Sequence, residues 1–125
     1  MFRLRFALGL ILAALPSLAH HSFAAQYDAK SRFTMTGTIS KIDWINPHSY
    51  IYLDVKDDAG KVTTWSIEGY PPNTLIRTGI KRAMLKTGDQ ITIEGCRARD
   101  GANVGAGREV TFKDGTKVFW GPSGQ

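Results

Sequence analysis

SYIYLDVKDDAGKVTTWSIEG, residues 49–69, carries two runs in which apolar and polar side chains alternate on either side of Ala59-Gly60. Alternation with period two belongs to strands, whose successive side chains point to opposite faces. The stretch therefore reads as a hairpin, with strands over 49–57 and 61–69 and a turn at Ala59-Gly60. Ile51, Leu53 and Val55 share one face of the first strand, and Tyr50, Tyr52 and Asp54 the other. In the second strand Thr63, Trp65 and Ile67 oppose Val62, Thr64, Ser66 and Glu68. Tyrosine tolerates partial exposure better than Ile, Leu or Val, which puts Tyr50 and Tyr52 on the outer face.

Upstream, FTMTGTISKIDWI, residues 33–45, alternates in the same way and is rich in Thr and Ile. It predicts a long, curved first strand with a bulge or bend at Gly37, ended by Asn46-Pro47. Downstream the period changes. After Pro71-Pro72-Asn73-Thr74, the apolar residues of LIRTGIKRAML (75–85) recur at helical spacing, giving one short helix or two turns broken near Gly79. Lys86-Thr87-Gly88-Asp89 closes it, and QITIEGCRAR (90–99) predicts the fourth strand. DGANVGAG, residues 100–107, reads as a flexible glycine-rich loop, and REVTFKDGTKVFW (108–120) as a final hairpin turning at Asp114-Gly115. The fold class is all-β with one short helix. Three strands, a helix and two or three more strands is the element order of a small OB-like barrel of five to six strands, closed at one end by its helix. An open β-sandwich with one helix is the competing architecture.

The first 19 residues join Arg3 and Arg5 to the apolar run FALGLILAAL and the small-residue ending Ser17-Leu18-Ala19, the pattern of a secretory signal peptide cut before His20. The expected organisation is a leader over 1–19, an N-terminal segment over 20–32 and one barrel domain over 33–122, in a periplasmic or secreted protein. No later apolar run approaches the roughly 20 residues a spanning helix needs, so no transmembrane segment is expected in the mature chain. The full chain has 16 basic and 11 acidic residues, net +5; losing Arg3 and Arg5 leaves +3. That balance, with no run of like charge and with export, argues against a nucleic-acid partner. The single cysteine, Cys96, lies within the alternation ITIEGC and reads as a small strand-packed side chain.

The histidines are His20, His21 and His48. Cleavage before His20 gives that residue a free α-amine beside its imidazole, able to close a chelate ring on one metal ion. A further imidazole from His48 or His21 completes a three-nitrogen set, which suits copper(II). Asp28 and Asp43 are the carboxylates nearby in sequence, and both read first as turn or edge residues. No zinc-ligand spacing, G-x-S-x-G elbow or phosphate-binding loop is present, so enzymatic activity is not supported. The second reading is a metal-free module that binds a small molecule or an envelope protein through an aromatic face of Trp44, Tyr50, Tyr52 and Trp65.

AHHSFAAQYD (19–28), TGTISKIDWINPHSYIYLDVKDDAGKV (36–62), PPNTLIRTGIKRAMLKTGDQITIEG (71–95) and RARDGANVGAGREVTFKDG (97–115) together resemble a family of short exported bacterial proteins of unknown function. The motifs that carry the resemblance are HHSF, W-x-N-P-H and K-x-G-D. It implies export and a small β-rich fold, and no activity.

Overall fold

The structure, a computed structural model, describes residues 23–122; the expected leader and both His20 and His21 lie outside that range. One six-stranded sheet dominates it. The strands are β1 (Tyr27–Asp43), β2 (Tyr50–Lys56), β3 (Val62–Glu68), β4 (Gln90–Ala98), β5 (Val104–Phe112) and β6 (Lys117–Phe119). Their order is β3-β2-β1-β4-β5-β6, each neighbour antiparallel, and β3 also pairs with β5 in parallel from Ser66↔Val104 to Glu68↔Ala106. The hairpin read from residues 49–69 is present in the register its turn dictates, Lys56↔Val62 through Tyr50↔Glu68.

β1 serves two partners in turn. Tyr27 to Thr38 pair with β4, and Thr38 to Asp43 pair with β2. The handover falls beside Gly37, where a Cβ would stand 2.5 Å from the Asp54 carbonyl oxygen and 2.8 Å from Leu53 Cγ. The glycine in the first strand thus permits close crossing of two strands, and the register shift follows between Ile39 and Lys41.

Between β3 and β4 the helical pattern splits as one of its two readings anticipated. Helix α1 spans Pro72–Arg77, with proline at a first-turn position where its missing N–H costs nothing. Gly79, at φ 99°, ends it: the Ile80 N–H reaches back to the Leu75 carbonyl at 2.9 Å, while the Leu75 and Ile80 side chains are both fully buried. A single 3-10 turn follows at Arg82–Met84. The core that these elements enclose comprises Ile39, Ile51, Leu53, Ile67, Leu75, Ile80, Ile91, Ile93, Val110 and Trp120, none more than 2% exposed. A smaller cluster of Tyr27, Cys96, Ala98 and Ala106 lies apart from it, with Phe23 and Val104 packed on its margin.

Two expectations about boundaries are corrected. The first strand begins at Tyr27 rather than Phe33, because a register shift between Asp28 and Arg32 destroys the alternation that would have revealed it. The glycine-rich stretch is not a loop throughout, since Val104 to Gly107 belong to β5 and pair with β3 and β4. Small residues are needed there for packing: a Cβ on Gly105 would come within 2.5 Å of the Phe33 ring, and one on Gly107 within 2.6 Å of the Trp120 ring.

Candidate functional site

The backbone after the Asn46-Pro47 turn is pinned to the end of β3. The Ser49 N–H donates to the Tyr70 carbonyl at 3.2 Å, and the Gly69 N–H donates to the Ser49 carbonyl at 2.8 Å. Tyr70 is fixed in turn by its N–H donating to the Trp120 carbonyl at 2.8 Å. This places His48 beside Glu68, with Nδ1 3.2 Å from Oε1; the imidazole is about half exposed and the carboxylate is 14% exposed. The other carboxylate oxygen, Oε2, accepts a hydrogen bond from the Tyr27 hydroxyl. Burial first, then the bond to Glu68 and its charge, hold the Tyr27 phenol far above its ordinary range. Tyr50, opposite Glu68 across the hairpin, is pushed up by burial and then by the same carboxylate.

His48 and Glu68 form one wall of a cleft of about 170 Å³ whose remaining lining is chiefly apolar, including Phe23, Tyr70, Pro71 and Pro122. Phe23 is held there by Tyr27, with ring centroids 5.1 Å apart. The cleft therefore gathers side chains from the start of the described chain, the β1–β2 turn, the end of β3 and the last described residue.

Of the expected metal ligands, His48 is in this cleft and His20 and His21 are outside the described residues. Among the described residues no group of three His, Cys, Asp or Glu side chains converges on a point that could hold a metal ion. Asp28 accepts the Lys30 N–H at 3.0 Å, and Asp43 accepts the Tyr52 hydroxyl at 3.1 Å and pairs with Lys41 at 3.2 Å. Both carboxylates lie within β1 and are already engaged there. Glu68 and Tyr27 were not anticipated here. The signal for Glu68 was the hairpin register, which sets it opposite Tyr50, two residues from His48; Tyr27 carried none, because its strand was not recognised.

The aromatic set is dispersed. Tyr50 and Tyr52 are half-buried on the face opposite Ile51 and Leu53, and the Lys41 ammonium lies 5.2 Å from the Tyr52 ring centre. Trp65 differs from the expectation of a common face. It pairs with Leu53 and points inward with Ile67, only 9% exposed, with the Arg97 guanidinium closing over it at 5.0 Å. Trp44 is half-buried, edge-on to Trp120 at 6.1 Å and covered by Arg82 at 5.5 Å. Cys96 is a buried free thiol whose pKa burial pushes up, as a packed strand residue. Among the described residues no helix is long and apolar enough to cross a membrane.

A sequence model for a family of unknown function (DUF6152) matches residues 8–108, and the chain belongs to that family. No curated protein and no solved structure matches it.

Proposed function

We propose that this family member is an exported, periplasmic or secreted protein that binds one copper(II) ion through the amine and imidazole of His20 at its mature N-terminus, together with His48 and His21. The observation that carries the reading is that Phe23 and His48 line the same cleft. The chain enters the fold two residues after His21, and an extended chain covers roughly 3.5 Å per residue, so both N-terminal histidines are tethered within about 10 Å of the Phe23 backbone. Four nitrogen donors, the His20 amine and the three imidazoles, suit the tetragonal preference of copper(II). The framework we propose is an OB-like barrel. Its support is the pairing of β3 with both β2 and β5, which joins β1, β2, β3, β5 and β4 in a circuit, with α1 between β3 and β4.

The test compares three proteins: one beginning at His20, one with a residue added before it, and His48→Ala. Titration with Cu(II) and Zn(II), followed by calorimetry and paramagnetic resonance, should give one tight copper in the first. The extended protein should lose the preference for copper over zinc, because an amide is a far poorer ligand than an amine, and His48→Ala should bind more weakly. Equal copper affinity in all three overturns the reading. So does a mature start at Gln26, found by intact mass of protein from the envelope fraction.

The apolar lining of the cleft favours a second reading, a metal-free module for a small apolar molecule or an envelope protein. It predicts that removing residues 20–22 leaves ligand capture intact, whereas Tyr70→Ala abolishes it.

A further inference from the structure

We infer that Glu68 and Tyr27 are positioning residues for His48, fixing its imidazole with the proton on Nδ1 so that Nε2 is the nitrogen offered to a metal. The inference rests on the copper reading for the identity of that metal, and on the described geometry for everything else.

A carboxylate is an acceptor only, with two oxygens to satisfy. Oε2 of Glu68 takes the Tyr27 O–H, and Oε1 stands 3.2 Å from His48 Nδ1. A neutral imidazole carries one N–H, and the negative charge 3.2 Å from Nδ1 favours keeping it on that nitrogen. Nε2 then bears the free lone pair. The carboxylate cannot swing away cheaply. It is 14% exposed, its strand is paired on both sides at Glu68, to Tyr50 and to Ala106, and its second oxygen is tied to a tyrosine only 2% exposed. A ligating histidine whose other nitrogen donates to a fixed carboxylate is the usual way a protein orients such a ligand and raises its basicity. Here the chain extends the relay by one member, from the phenol of Tyr27 at the start of β1, through Glu68 at the end of β3, to the β1–β2 turn.

Two measurements test this independently. The first needs no metal. Two-bond 1H–15N spectra of the metal-free protein, taken on the high-pH plateau of the imidazole shifts, report which nitrogen of His48 is protonated. Wild type should show Nδ1–H; Glu68→Ala should revert to the mixture of a free imidazole, and Glu68→Gln, whose amide oxygen can still accept from Nδ1, should retain Nδ1–H. Predominant Nε2–H in wild type overturns the inference whatever copper does. The second is copper(II) affinity in the His20-start protein. Glu68→Ala should weaken it about 10- to 100-fold, the range for loss of such a partner, with Glu68→Gln recovering most of the loss and Tyr27→Phe falling between. Unchanged copper affinity in Glu68→Ala, where His48→Ala does weaken binding, overturns the inference and spares the copper reading. If His48→Ala has no effect on copper while the Nδ1–H form is present in wild type and lost in Glu68→Ala, the copper reading falls and the positioning stands. Circular dichroism of each variant shows that the comparison is between folded proteins.

Discussion

Tyr27 shows how one side chain couples packing to charge. Its ring belongs to the small cluster with Cys96 and Ala106, and its hydroxyl donates to the Glu68 carboxylate. A phenol whose pKa is raised by folding holds its proton more tightly in the native state. Its stabilisation is therefore complete below the unfolded value near 10 and is lost as pH rises through the folded value. Tyr27→Phe should cost about 1.5–3 kcal/mol at neutral pH, the range for a hydrogen bond to a charged group. That difference from wild type should shrink above about pH 10, where unfolding lets only the wild-type phenol ionise and so favours its unfolded state. Denaturant melts across that range check it, and a constant difference contradicts it. At Leu53, fully buried, Leu53→Ala should cost about 2–5 kcal/mol. Tyr52→Ala should cost less than Leu53→Ala, because its ring is half-buried whereas Leu53 is fully buried. Equal losses in melts would mean that the ring carries core packing.

At the scale of elements, β2 and β3 were legible almost to the residue, because alternation and a short glycine turn together leave one register open. The helix break was legible for a different reason: Gly79 is the residue able to take the positive φ that ends α1. Two elements were hidden by composition. Residues 27–32 are polar and bulged, so their pairing with β4 leaves no periodic trace. Gly105 and Gly107 look like a flexible connection, yet their role is to make room for Phe33 and Trp120. A glycine's sequence neighbourhood does not report what lies over it in space. The same blindness scattered the site: His48 was found by residue type, Glu68 was seen only as one step of an alternation, and Trp65 was grouped with the outer tyrosines although its side of the strand, shared with Ile67, faces the core. The packing role of the glycines makes a specific prediction. Gly107→Ala should destabilise by about 1–3 kcal/mol through overpacking against Trp120, whereas a linker glycine would show almost no change in a thermal or denaturant melt.

At the scale of the molecule, the cleft has walls from far-separated parts of the chain. Phe23 stands at one limit of the described residues and Pro122 at the other, with His48 and Glu68 from between. Trp120, fully buried two residues before Pro122, anchors the last wall by accepting the Tyr70 N–H and holding its own indole in the core. Truncation after Thr116 should therefore abolish cooperative unfolding, as seen by calorimetry, although it removes none of His48, Glu68 or Tyr27.

That arrangement also sets an order of events. A cleft whose sides are spaced from residue 23 to residue 122 cannot exist in a partly made or extended chain; it appears when the final strand docks. Occupancy therefore follows folding: whatever the cleft takes up, it takes up after the last strand is in place.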